Sequence, residues 1–256
     1  MILLVDIGNT RIKWARLTGT RPARAHAAAH AGWGAREYAR RLWGAGRKPE
    51  RMLVSSVAGA RVERPLAAAA RRAGIAAQFV RVPRRGSGVT VGYLEPWRLG
   101  VDRFVAAVGA RELFPGVPLC VIGVGTAMTL DLLDGRGFHK GGVIIPAPAL
   151  MVETLLNKTH GIGRRARGGA LGGGGLFGRS TRAAVLQGAR YAAAATIDRA
   201  IEEARDILGR KPLGVLTGGG AGQVRPLVLS SCVGVADLVL RGLAVLSRTP
   251  QPRSRS

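Results

Sequence analysis

At 256 residues, 47% of them apolar, the chain can bury one large core or two modest ones. No apolar run is long enough to span a bilayer, no basic leader precedes the opening strand, and only Cys120 and Cys232 are present, each among apolar or small residues. This excludes a disulfide framework and predicts a cytoplasmic protein without a membrane partner. The net charge is +24, and only five of the 39 basic residues are lysine, the rest arginine scattered among alanine and glycine.

Residues 1–7 form an apolar run that delivers Asp6 to its end, and Gly8, Asn9 and Thr10 follow at once. Residues 11–17 then alternate apolar and polar side chains through Lys13. The pattern predicts a strand, a tight turn and an antiparallel return strand. An acid at the strand end can hold a metal ion, and Gly8 lets the backbone approach a phosphate. The turn N–H groups, Thr10 and Lys13 can donate to phosphate oxygens. An ordinary hairpin with Asn-rich turn chemistry explains the pentapeptide equally well when it is taken alone.

Further on, residues 35–43 predict a short helix, 51–57 a strand, and 61–73 an Ala-rich helix closed by Gly74. Residues 79–82 predict a strand, 83–92 a loop rich in Pro, Arg and Gly, and 98–113 a helix that stops before Pro115. Gly100-Val101-Asp102-Arg103, with Tyr93, Pro96 and Leu99 upstream, joins an acid to a base at a loop-to-helix junction. Taken alone, a solvated helix start explains it better, because Asp is favoured there by capping and by the helix dipole.

The second half restarts the programme. Residues 119–123 predict a strand, Gly125-Thr126 a turn, and 128–133 a return strand. Residues 138–145 predict a third strand, whose end, Gly141-Gly142-Val-Ile-Ile-Pro146, permits close backbone approach or is a plain turn. Residues 146–157 predict a helix with Pro at its start, 161–178 a mobile Gly/Arg-rich segment, and 181–208 a long Ala-rich helix. After a strand at 213–216 comes Thr217-Gly218-Gly219-Gly220-Ala221-Gly222. That run is either a linker or a place where a flat ring meets the backbone. Residues 237–246 predict the last helix, and 249–256 a polar tail. The four histidines lack metal-ligand spacing, and neither a Ser-His-Asp elbow nor a Walker loop is present.

Alternating strands and helices make the chain α/β. The repeated strand–glycine turn–strand hairpin predicts a duplicated domain, divided into 1–114 and 115–256, with the two hairpins facing across a cleft. The charge invites a nucleic-acid reading. However, no zinc-finger spacing, aromatic RNA-binding signature or long basic tract accompanies it, so only salt-sensitive, non-specific attraction is expected.

Taken in order, these motifs resemble the type III pantothenate kinase family, within the superfamily of acetate kinases, sugar kinases and actin. The resemblance implies two ribonuclease H-like domains with a nucleotide cleft between them, and ATP-dependent phosphorylation of pantothenate, the first step of coenzyme A synthesis. In that family Asp6–Thr10 with Lys13 is the first phosphate motif, and Gly123-Val-Gly125-Thr126-Ala127-Met-Thr129-Leu-Asp131 the second. Tyr93, Gly100, Val101, Asp102 and Arg103 form the pantothenate and catalytic motif, with Asp102 as base and Arg103 on the substrate carboxylate. Thr217, Gly218 and Gly219 match the adenosine motif, and Ser180-Thr181 with Gln187-Gly188 the stretch that covers pantothenate from a partner subunit. The resemblance implies Mg²⁺ near Asp6, a monovalent cation (K⁺ or NH₄⁺) near Asp131, and a homodimer. The family usually has Asp where Gly123 stands, so a carboxylate facing the phosphate site is missing. Gly123 and the charge support a rival reading, a weakly active or inactive homologue serving as a regulatory or transcriptional accessory protein. A third is a kinase for another small alcohol.

Overall fold

In the computed structural model, which describes residues 1–44, 46–167 and 175–248, the opening apolar run becomes the central strand of a sheet. β1 (Ile2–Ile7) buries Leu3, Leu4, Val5 and Ile7, as a strand covered on both faces requires. It pairs antiparallel with β2 (Arg11–Thr18), which is flanked by β3 (Arg21–Pro22) and β4 (His26–Ala29). Helix α1 (Ala35–Leu42) leads to β5 (Arg51–Ser56), parallel to β1 on its other side. Helix α2 (Ala60–Arg72) leads to β6 (Ala76–Phe79), giving the order β3-β2-β1-β5-β6. Tyr38 and Leu42 of α1 and Leu66 and Ala69 of α2 close one core over Leu3, Val5 and Ile7.

The segment expected as a loop at 83–92 contains a small hairpin, β7 (Arg85–Gly86) and β8 (Val89–Val91). Its two turn residues, Ser87 and Gly88, have φ of 47° and 79°. Positive φ at both positions suits the twist of a two-residue hairpin, and Ser in the first place hides the usual Asn-Gly signal. Helix α3 (Val101–Leu113) completes the first stretch of this unit, which comprises Met1–Gly116, Arg136–His139 and the chain from Asp237 on.

The second unit comprises Val117–Gly135 and Lys140–Ala236. β9 (Leu119–Val124) pairs antiparallel with β10 (Ala127–Leu133) and parallel with β12 (Leu213–Thr217). β11 (Phe138–Pro146) lies beyond β10, and β13 (Cys232–Gly234) beyond β12, so the order is β13-β12-β9-β10-β11. The first two residues of β11, Phe138 and His139, belong to the first unit and pair there with Thr90 and Val91. The order repeats that of the first sheet, so the duplication is visible in the topology. α4 (Pro148–Lys158) and α5 (His160–Arg165) precede α6 (Thr181–Leu208), which is capped by the Ser180 hydroxyl accepting the Ala183 N–H at 3.1 Å. α7 (Ala221–Val224) is a single turn. Of the segment expected to be mobile, 168–174 lies outside the described residues, as does the tail 249–256. Among the described residues, no helix is long and apolar enough to cross a membrane. Cys120 and Cys232 are free, and burial pushes the Cys120 thiol up to about 12.

The last helix, α8 (Leu238–Leu246), packs on α3 within the first unit, whereas a boundary at 114 alone would leave it in the second. Leu238, Leu240, Leu243 and Leu246 are its large buried side chains, with Gly242 and Ala244 buried between them. The helices cross at glycine: a Cβ on Gly109 would come within 2.6 Å of the Leu238 carbonyl oxygen, and one on Gly242 within 1.9 Å of that of Val105. Gly242→Ala should therefore destabilise the protein by about 2 kcal/mol, since backbone rather than a flexible side chain must move. Urea denaturation checks this, and an unchanged midpoint would refute so tight a crossing.

Candidate active site

The first unit gathers charge at the end of β1. Asp6 stands opposite Lys13 on β2 and Ser55 on β5. Lys13 Nζ donates to Asp237 Oδ1 at 3.0 Å, and Asp237 sits just before α8 in a left-handed conformation (φ 52°, ψ 41°). Burial, then the negative charge of Asp102, raises the Asp6 carboxyl to about 7. Lys13 and the Ser55 hydroxyl oppose the rise, and Asp237 adds to it. The Ser55 oxygen is itself outside hydrogen-bonding geometry among the described residues, so it acts as a nearby dipole. Asp102, Asp237 and Lys13, from distant points of the sequence, thus all lie close enough to Asp6 to act on its charge. The fold brings Asp6, Lys13 and Asp102 close together. Asp237 joins them through packing, which the sequence reading did not foresee.

This donor set fits a shared Mg²⁺ ion. A carboxyl held near 7 by burial and like charge is relieved by a cation. Mg²⁺ takes one or two carboxylates and fills its remaining positions with water and phosphate. Among the described residues no three or more His, Cys, Asp or Glu side chains are placed to hold a metal ion together, so Asp6 with at most one further carboxylate would hold it and phosphate and water would complete its shell.

The turn after β1 exposes Asn9 and Thr10, while the Gly8 N–H donates to the Arg11 carbonyl at 3.0 Å. The acceptor motif lies at the start of α3. Gly100 caps it, and a Cβ there would meet Asp102 Oδ1 at 2.7 Å, so glycine lets that carboxylate fold back over the turn. Val101, half-buried, opens the helix. Asp102 Oδ1 accepts the Arg103 N–H at 2.9 Å. Arg103 is only 6% exposed, and its guanidinium donates to the Tyr93 hydroxyl at 3.2 Å. The Tyr93 ring in turn rests 5.5 Å from that of His139. Arg84 donates to the carbonyls of Val91, Tyr93 and Leu94, which fixes the segment that carries Tyr93. A buried guanidinium held by a phenol is a preset fork for a carboxylate.

In the second unit Gly123 pairs with Thr129 and Thr217, the ladder place that Asp6 holds in the first. The Gly125 N–H donates to the Ala127 carbonyl at 2.9 Å, and Thr126 is exposed at the turn. The glycine run after Thr217 is packed rather than slack. Gly218 has φ 99°, a Cβ on it would lie 2.3 Å from the Val124 carbonyl oxygen, and the Gly220 N–H donates to that same oxygen at 3.0 Å. Gly219 faces open space. Asp131 is buried on β10 opposite Val121, and its charge helps hold the Cys120 thiol neutral. Thr181 opens α6 and lines a hollow of about 480 Å³ with Met151, Leu155 and Ile162.

Two sheets of like strand order, each ending a hairpin at a glycine turn, are the fold of sugar kinases and their actin-like relatives. A ROK family glucokinase from Streptomyces griseus, solved with glucose and AMPPNP, is 15% identical (TM-score 0.54, 96% of this chain and 99% of that one). A protein described as a Baf family transcriptional activator from Campylobacter jejuni is 16% identical (TM-score 0.59, 96% and 98%). The family model for type III pantothenate kinase matches residues 2–203. The type III pantothenate kinase of Nitrosococcus oceani is 36% identical over 253 residues, covering 97% of this chain and 94% of that protein. The chain belongs to the type III pantothenate kinase family.

The raised pKa of Asp6 gives a pH test. Protonation is favoured by folding, so Asp6's stabilising contribution is complete below about pH 4 and lost as pH rises through about 7. The side chain keeps part of its surface open, which limits the cost of charging it to on the order of 2 kcal/mol. Asp6→Asn should therefore be more stable than wild type at pH 8, without nucleotide or metal, with the gap closing toward pH 4. Equal urea midpoints at pH 8 would contradict a strained carboxylate.

Proposed function

We propose that this protein transfers the γ-phosphoryl group of ATP to the primary hydroxyl of pantothenate, giving 4′-phosphopantothenate and ADP, the first step of coenzyme A synthesis. The observation that carries this reading is the Asp6–Lys13–Asp102 cluster with a buried, phenol-held Arg103 one residue beyond the base.

Asp102 is the catalytic residue. It accepts the hydroxyl proton as the alcohol oxygen bonds to the γ-phosphorus and the β–γ bridging oxygen departs with ADP. A carboxylate is a weak base for an alcohol, but phosphoryl transfer depends on positioning and charge neutralisation more than on proton abstraction. Arg103 binds the pantothenate carboxylate bidentately, and Tyr93, Gly100 and Val101 shape that subsite. The turn at Gly8, Asn9 and Thr10 with Lys13, and the turn at Gly125 and Thr126, bind phosphate oxygens. Thr217, Gly218 and Gly219 receive the adenosine. Asp6 would hold Mg²⁺, whose charge would offset that of the phosphates. Asp131 would neighbour a monovalent cation, and Thr181 would cover pantothenate from the second copy of a cytoplasmic homodimer. The charge of +24 draws anionic substrates toward the protein.

The relatives' shared name favours a kinase over a regulatory protein, and the likeness to the Baf structure concerns the fold. The reading is tested by MgATP- and pantothenate-dependent ADP release. Asp102→Asn should lower turnover by about 10³-fold while the fold persists, because a neutral amide can still accept a hydrogen bond from the alcohol but cannot take its proton. Undiminished turnover would sink the assignment. Arg103→Ala should raise the pantothenate KM by 10–100-fold with the ATP KM little changed, and an unaltered pantothenate KM would remove Arg103 from the subsite.

A further inference from the structure

One buried polar group in the first unit has no part in this scheme. His30 follows β4 directly, and Ala29, the last residue of that strand, pairs with Arg11 on β2. The imidazole is 4% exposed, and its Nε2 lies 2.8 Å from the Gly8 carbonyl oxygen. A carbonyl can only accept, so Nε2 carries a proton and donates it. Among the described residues Nδ1 is buried with no hydrogen-bond partner. An unmatched buried nitrogen costs at least as much as an ordinary hydrogen bond returns. An apolar side chain would remove the unmatched nitrogen but leave the Gly8 carbonyl without its donor, so the bond to Gly8 is what histidine adds at this place.

That bond fixes the orientation of one peptide plane. In a trans peptide the C=O of one residue and the N–H of the next point in opposite directions. Holding the Gly8 oxygen on His30 therefore aims the Asn9 N–H away from the imidazole. Gly8's own N–H is already committed to the Arg11 carbonyl. Glycine leaves this plane freer to rotate than any other residue would. A turn that needs glycine for close approach thus needs an outside clamp to keep its donor aimed.

We propose that His30 is a positioning residue that locks the Gly8–Asn9 peptide and so presets the Asn9 N–H for a phosphate oxygen of the nucleotide. The inference rests on the reading of this turn as a nucleotide-phosphate site. His30→Phe keeps a buried ring but removes the donor, and His30→Gln returns an N–H at nearly the reach of Nε2. Calorimetry with the Mg²⁺ complex of AMPPNP, and steady-state kinetics, should show about tenfold weaker nucleotide binding and a matching rise in ATP KM for His30→Phe. The pantothenate KM should stay within twofold, a split between the two substrates that a merely destabilised protein would not show. His30→Gln should recover most of the affinity.

His30→Phe with wild-type nucleotide affinity overturns the inference, as does a His30→Gln variant as weak as His30→Phe. If His30→Phe does not fold, His30→Gln decides: near-wild-type affinity supports the clamp, and a tenfold loss overturns it. A wild-type protein that binds no nucleotide overturns the phosphate-site reading itself, and the clamp falls with it.

Discussion

A carboxylate at the end of a strand buried on both faces cannot carry its charge without a cation close by. Asp6 is in that position, and the architecture of the first unit supplies what stands around it. The ladder puts Lys13 opposite, and α3 and α8 bring Asp102 and Asp237 from far along the chain. Both helices begin at the cluster and cross through Gly109 and Gly242. The Leu238 carbonyl that a Cβ on Gly109 would strike is one residue past Asp237. The glycine crossing thus sets how near the two acids come to Asp6. Packing and electrostatics are one constraint here. Lys13 pairs with Asp237, and an Asp6 carboxyl whose charging is opposed by burial and by Asp102 makes the site receptive to a divalent cation.

The second sheet repeats the strand order and omits the charge. Gly123 takes the place of Asp6, and its ladder partner is Thr129 where the first sheet has Lys13. Acid and base are absent together, so the pair stays electrically balanced. A Cβ on Gly123 would already lie 3.0 Å from the Thr129 hydroxyl oxygen, a contact that asks Thr129 to give way. The departure from the family's usual Asp is therefore built into its surroundings. What the second turn keeps is a glycine N–H closing the hairpin, here onto the Ala127 carbonyl, with a threonine exposed at its tip and a glycine run packed against Val124 beside it.

Legibility in the sequence followed the range of the interactions. The two hairpins, the long capped helix and the glycine run after Thr217 depend on neighbouring residues, and each left a local pattern. The hairpin at 85–91 was masked because Ser87 replaces the usual turn residue, and β13 because three residues carry no period. Asp102 and Arg103 were legible as a motif, while the reason for Gly100 needed the folded-back carboxylate. Asp237, His30 and Arg84 gave no signal of their contacts, since each acts through a partner brought near only by folding. The place of α8 was hidden for the same reason: an apolar helix states that it must be covered, and its sequence does not state by what.

These scales of charge act in opposite senses on one ligand. The protein as a whole is strongly basic, and its field concentrates anions at a range set by ionic strength. At Asp6 a bare phosphate would meet the carboxyl groups of Asp6, Asp102 and Asp237 as well as the Lys13 ammonium. A polyphosphate drawn in by the outer field is repelled at the last few ångströms unless it brings a divalent ion that Asp6 can share. On the proposed reading the metal is thus a condition of nucleotide entry as well as an aid to transfer. The long-range attraction fades with added salt, while the local requirement, being desolvated, persists.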